Sequence, residues 1–348
     1  MTDHRSDYLW DRSGEPDPDV AHLEEVLGAL RHRGTLPALP ARPALPPHTA
    51  APARPAARRA VYGLFLGLTA AAIVCLIAGA AWFGVGQGRL GWAVKRLAGQ
   101  PVIDGKAIDA SGRLHRGTWL ETREAGKARV MVGQIGQVDV DPDTRLQLVE
   151  SRGRAHRMAL QQGTIHAQIW APPKFFVVDT PSAVATDLGC AYTLQVDASG
   201  RGLVRVTSGW VGFENQGRES FIPEQAVCST RPGVGPGTPY YEDAPAGYAD
   251  ALTTLDFGLL SDPARGAALD TVLSAARKRD ALTLWHLLTR GTIEERRRVY
   301  DRMATLVPPP AGVTREAVLR ADRRATDRWW NALGLDNASW WRIWMREW

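Results

Sequence analysis

The sequence predicts a mainly β protein: a short-stranded antiparallel β sandwich or stacked β domain, preceded by one transmembrane helix and followed by an α-helical bundle. Three observations carry that expectation. Between Gly117 and Ser229 the chain runs in short apolar–polar alternations, with strand starts about every 8–12 residues. Residues 60–86 hold no charged side chain. From Ala264 onward the apolar residues fall at helical rather than strand spacing.

Residues 1–33 form an acidic arm. Eight acidic and two basic side chains lie within residues 1–27. Asp17 is a good N-cap and Pro18 a good first helical residue. Val20, Leu23, Val26, Leu27 and Leu30 then share one helical face. A lone helix of about three turns is marginal in water, and the linker after it, residues 34–59 with seven prolines, cannot pack a core. Together with Leu9 and Trp10, the apolar face is the pattern of a segment that folds on a partner.

A bilayer core needs about 20 helical residues, which the uncharged run 60–86 exceeds. The run is also longer than a signal-peptide core of roughly 7–15 residues, so a retained anchor is expected. Arg54, Arg58 and Arg59 crowd its N-terminal side, whereas Arg89, Lys95 and Arg96 are more dispersed. That asymmetry places the N-terminus in the cytoplasm and the C-terminus on the far side of the membrane.

Residues 95–235 are read as the β domain. Alternating runs include Ala128–Val132, Thr144–Val149, Thr164–Trp170, Phe175–Val178, Tyr192–Val196, Leu203–Val206 and Trp210–Phe213. Turn residues, among them Gly133, Gly163, Pro172-Pro173 and Gly209, separate them. No long helix intervenes, which excludes a parallel α/β sheet. Cys190 and Cys228 are candidates for a disulfide, permitted in the periplasm and worth at most about 4 kcal/mol. Two buried thiols are the other reading.

These residues carry a resemblance. Gly117-Thr-Trp-Leu-Glu-Thr, Lys127-Ala-Arg-Val-Met-Val, the run from Val138 to Leu148, Phe176-Val-Val-Asp-Thr-Pro, Leu188-Gly-Cys-Ala-Tyr-Thr-Leu and Val206-Thr-Ser-Gly-Trp-Val stand in an order and spacing similar to the FecR family of membrane-bound sigma-factor regulators. Cys190 and Asp187 depart from the usual pattern, where a Thr and a basic residue are common. The resemblance implies a bacterial inner-membrane protein with a periplasmic C-terminal sensing domain and a cytoplasmic arm that holds or activates an alternative sigma factor.

Residues 248–348 are expected to be helical. Ala264–Lys278, Ala281–Leu288, Ile293–Leu306 and Arg315–Leu333 have helical periodicity, Thr292 with Glu294-Glu295 starts one helix, and Pro308–Pro310 stops it. Trp329, Trp330, Trp340, Trp341, Trp344 and Trp348 form a tryptophan-rich end, expected to dock on the bundle, a partner or a membrane interface.

A net charge of +5 on 348 residues argues against direct nucleic-acid binding. The eight histidines have no zinc spacing, and no phosphate loop or Gly-x-Ser-x-Gly elbow occurs. Asp179 and Asp187 are the weak candidates for an acid/base pair. The expectation is therefore a signalling protein rather than an enzyme, with no cofactor and no metal. A sigma factor would bind residues 1–33, and an envelope or outer-membrane partner would meet the outer domains. A structural or carbohydrate-binding envelope protein is the alternative.

Overall fold

The computed structural model describes residues 91–335. The arm residues Leu9, Trp10, Val20, Leu23, Val26, Leu27 and Leu30, the run 60–86 and Trp340, Trp341, Trp344 and Trp348 lie outside the described residues. Among the described residues no helix is long and apolar enough to cross a membrane.

Strands occupy the first part. In order they are β1 (Trp92–Ala98), β2 (Val102–Ile103), β3 (Lys106–Ala107), β4 (Ser111–Leu114), β5 (Trp119–Glu121) and β6 (Lys127–Val132). β7 (Gly136–Val140), β8 (Arg145–Arg152), β9 (Ala155–Ile169), β10 (Phe176–Asp179), β11 (Val184–Asp187) and β12 (Ala191–Val196) follow. Then come β13 (Gly202–Ser208), β14 (Trp210–Asn215), β15 (Arg218–Pro223), β16 (Ala226–Arg231), β17 (Gly235–Pro236) and β18 (Tyr240–Tyr241).

Two sheets result, joined through β9. The first runs β4-β1-β6-β7-β9-β12-β13-β16, with β17 and β18 against β16. The second runs β3-β2-β5-β8-β9-β10-β11-β14-β15. Among the described residues every pairing is antiparallel except β9 with β10, a departure from the wholly antiparallel expectation. The connection from β9 to β10 reverses no direction, because it runs through the loop at Pro172-Pro173 back to the start of β9.

Side-chain alternation explains the sandwich. Ala128, Val130 and Val132 of β6 and Val138 and Val140 of β7 are buried. Their outward neighbours Arg129 and Asp139 sit opposite one another and form a two-pronged ion pair at 2.5 and 2.7 Å. β9 shows how the two sheets share a strand. Met158 and Leu160 point inward on its first half, Ile165, Ala167 and Ile169 on its second, so the inward set changes from even to odd positions. The slip keeps the core face constant while the strand leaves one sheet for the other.

Gly163 is that hinge. Its φ of +101° and the Thr144 side chain, 2.2 Å from where a Cβ would sit, admit only glycine. Where the sequence places a turn before Thr164, the strand continues.

The helical part comprises α1 (Tyr248–Phe257), α2 (Ala264–Ala275), α3 (Ala281–Leu288), α4 (Ile293–Leu306), α5 (Arg315–Leu319) and α6 (Arg323–Asn331). Thr292 does start α4: its hydroxyl accepts from Glu295 N–H and its own N–H donates to the Glu295 carboxylate. The single helix expected over 315–333 is broken at Ala321, which has φ +57°, and Asp322 recaps the chain by accepting from Ala325 N–H. One continuous apolar core extends from Trp92 in β1 to Trp330 in α6.

Candidate functional site

β15 ends the second sheet and would expose an unpaired edge. Its inner edge pairs with β14, and its outer edge is sealed by α3. Phe221 N–H donates to His286 Nε2 at 3.1 Å, and Arg290 Nη2 donates to the Glu219 carbonyl at 2.8 Å. Glu219 and Phe221 are two residues apart, so their backbone groups face the same way, and one side chain from α3 and one from the turn after it stand in for a missing strand. The His286 ring accepts at Nε2, which puts its proton on Nδ1, where it donates to the Leu282 carbonyl at 2.8 Å. Tryptophans lock this seam: Trp330 lies 4.6 Å from Trp285 and 5.6 Å from Phe221, ring centre to ring centre.

Beside the seam lies a buried charge cluster. The Asp256 carboxylate, 3% exposed, accepts from Arg218 at 2.8 Å, from Arg290 at 3.3 Å, and from both the N–H and the hydroxyl of Thr238. Arg290 also donates to the Ser220 hydroxyl, and Arg218 Nε donates to the Pro236 carbonyl. Burial, and next the repulsion of Arg290, lower the Arg218 guanidinium to about 10 against the opposing pull of Asp256. The hairpin turn of β14–β15, the end of α3 and the start of α6 enclose an adjoining cleft of about 420 Å³.

A second buried cluster sits where the chain crosses from β11 to β12. Asp187, 1% exposed, accepts from the Cys190 thiol at 2.9 Å and from Gly189 N–H at 2.7 Å. Burial pushes this carboxyl up to about 7 against those two hydrogen bonds and a third from the Cys190 backbone. The buried Tyr192 hydroxyl makes no hydrogen bond among the described residues. Burial, then the charge of Asp187, drive the Cys190 thiol well up, so it is no ready nucleophile.

The structure corrects the disulfide expectation. Cys190 and Cys228 are both buried and free. Cys228 donates instead to the Gly237 carbonyl at 3.1 Å, and burial raises it to about 12. Asp179 and Asp187 are not brought together: Asp179 pairs in register with Val184, at the far end of the β10–β11 hairpin from Asp187. Arg157 engages Asp179 with two hydrogen bonds of 2.6 Å. His156 and His166 share β9. His156 is buried, its ring 6.1 Å from that of Trp92, while His166 bridges Asp141 and Thr193. Trp329 and Trp330 pack on the helices, as one of the readings of the tryptophan-rich end has it.

Sequence reasoning misses Arg218, Asp256 and Arg290 altogether. They meet across separations of 38 and 34 residues, and no local motif marks any of them.

The family model described as FecR protein matches residues 119–212, from β5 into β14. Two solved structures of a protein from Parabacteroides distasonis ATCC 8503, provisionally described as an anti-sigma factor, are similar at 15% identity and a TM-score of 0.32 each. Each match covers 38% of this chain and 62% or 63% of the other, so the chain spans less than two thirds of their length. No curated protein matches. Residues 119–212 are a FecR domain.

Proposed function

We propose that this chain is a single-pass inner-membrane signal-transduction protein, a FecR-type regulator that links a periplasmic β domain to a cytoplasmic sigma factor. The observation that carries this reading is the FecR domain at 119–212, standing C-terminal to 27 consecutive uncharged residues and an acidic amphipathic arm. The run 60–86 spans the bilayer, the arm 1–33 binds the sigma factor through Leu23, Leu27 and their neighbours, and the seam of sheets and helices faces the periplasm. No chemical step is assigned to the chain: its work is binding.

Reporter fusions at the two ends test the topology. Opposite compartments are expected, and both ends on one side would overturn the reading. The arm is tested by Leu23→Asp and Leu27→Asp, each of which should abolish capture of the sigma factor without changing membrane insertion. Unchanged capture would remove the amphipathic helix from the account.

A further inference from the structure

We propose that the face of the β domain around Trp92 rests on the bilayer surface, where Trp170 enters the headgroup layer and Arg116, Arg152, Arg154 and Lys174 meet anionic phospholipid headgroups. This rests on the single-pass reading above and goes beyond it by assigning the surface that meets lipid.

The tether supplies the first argument. The uncharged run ends at Gly86, and β1 begins at Trp92. Even fully extended, that length of chain spans only about 20 Å. The headgroup layer itself takes up roughly 5–8 Å on each side of the hydrocarbon. Trp92 is therefore held close to the membrane, and the residues packed around it are the ones within reach of lipid.

Trp92 is a hub. It pairs in register with Leu114, after which come His115 and Arg116. Its Nε1–H donates to the Ser151 hydroxyl at 2.9 Å, and its ring lies 6.1 Å from that of His156 and 6.3 Å from that of Phe176. The His156 N–H donates to the Phe175 carbonyl, and the Trp170 N–H to the Ile135 carbonyl, each at 3.0 Å. Gly133, at the start of the β6–β7 turn, lies against the His156 ring. Residues 115–117, 133–135, 152–154 and 170–175 are thus brought to one place.

Charge and exposure identify what they meet. These four segments contain Arg116, Arg152, Arg154 and Lys174 and no acidic residue. All four cations are exposed and make no ion pair among the described residues. Nearby acids do not offset them: Glu150 pairs in register with Arg157, and Asp187 is buried. Glu224, in the turn after β15, belongs to the last strands of the sheets, on the side away from β1. At the opposite ends of β6, β7 and β12, residues 122–126, 141–144 and 197–201 hold Glu124, Asp141, Asp143 and Asp197 against Arg123 and Arg201. The tethered end is the positive one. Trp170 is 64% exposed, and its amphipathic ring is of the kind that settles among headgroups. Each basic residue close to an anionic surface strengthens attachment roughly fivefold, and the tether makes weak contacts count by keeping the surface within reach.

A spin label on Gln134→Cys of the full-length protein, in the exposed β6–β7 turn, reads this contact. The protein is reconstituted in vesicles of phosphatidylcholine alone and of phosphatidylcholine with phosphatidylglycerol, and the label's accessibility to an aqueous nickel chelate is measured. The unsubstituted protein, labelled in the same way, gives the background from Cys75, Cys190 and Cys228. With phosphatidylglycerol we expect accessibility several-fold below that of Ala198→Cys, labelled in the β12–β13 turn at the far end. Combining Arg152→Gln, Arg154→Gln and Lys174→Gln should return it to the Ala198→Cys value, and so should high salt, which screens exposed charges. Equal accessibility at the two positions, or protection that survives the combined variant or the omission of phosphatidylglycerol, would overturn the proposal. Flotation after an alkaline carbonate wash separates that failure from failure of the anchor. A chain retained with lipid while its Gln134→Cys label stays in water leaves the anchor standing, whereas release of the chain overturns both.

Discussion

Asp256 and Asp187 are both buried carboxylates, and the protein treats them in opposite ways. Asp256 sits between two guanidiniums and two donors from Thr238. Asp187 has a thiol and the backbone N–H groups of Gly189 and Cys190, with no cation against it among the described residues. A buried charge without a partner is so costly that the group takes up a proton instead. The seam thus keeps an ionic cluster that depends on every member, whereas the β11–β12 corner keeps a carboxyl that shifts between forms near neutral pH. One region is held by charge, the other is sensitive to it.

Breaking the seam should have the largest effect. Asp256→Asn keeps the size of the side chain and its contact with Thr238 but leaves Arg218 and Arg290 without their shared anion. Removing one member of a buried pair costs about 3–5 kcal/mol, and urea unfolding of the full-length protein should show a loss of that order. A loss under about 1 kcal/mol would mean that water already screens the two arginines.

The corner predicts a slope rather than a loss. Asp187 has a folded pKa of about 7, above the ordinary carboxylate value near 4. Between those two values the folded state holds a proton that the unfolded chain has given up. Stability from this group is therefore complete below about pH 4 and falls, by up to roughly 1.4 kcal/mol per pH unit, as pH rises to about 7. Asp187→Asn should flatten that slope and make the protein more stable than its parent at pH 8. His156 acts in the other direction, since burial lowers its pKa and makes its protonation in acid unfavourable to the fold. The Asn variant separates the two, and a parent profile flat from pH 5 to pH 8 would remove Asp187 as a titrating group.

A smaller effect tests the sealed edge. His286→Ala leaves the Phe221 N–H buried without an acceptor, which costs about 1–3 kcal/mol. Thermal unfolding should register it, and hydrogen exchange should quicken first along β15. Uniform exchange would show that α3 does not close that edge.

How far such features can be read in advance depends on their range. β6, β7, β12 and β13 alternate cleanly because one face meets water, and α4 announces itself through its capping box. β15 and β16 escape notice because helices and sheet bury both of their faces, so Ser220 to Pro223 shows no alternation. α1 begins after Gly247 with no side-chain cap, and its start carries no signal. Lys95 and Arg96 belong to β1, although a sequence reading takes them as membrane flanks. The break at Ala321 involves neither glycine nor proline. As for the Asp256 cluster, its members are ordinary charged residues until the fold brings β15, α1 and the turn after α3 to one place.

Tyr192 sharpens the comparison at the lowest cost. Its hydroxyl is buried beside Asp187 yet bonds to nothing among the described residues, while the charge of Asp187 helps push it upward after burial itself. An unsatisfied hydroxyl costs more than the apolar ring that would replace it. Tyr192→Phe should therefore be neutral or stabilising by about 1 kcal/mol in thermal unfolding at pH 5, where Asp187 holds its proton. At pH 8 the same change should matter differently, because an ionised Asp187 gains from any donor able to turn toward it. A variant equally stabilising at both pH values confirms a hydroxyl that never serves the carboxylate. Stabilisation at pH 5 that becomes destabilisation at pH 8 would show Tyr192 rotating to answer the charge, and the corner would then resemble the seam in neutralising its acid by a partner rather than by a proton.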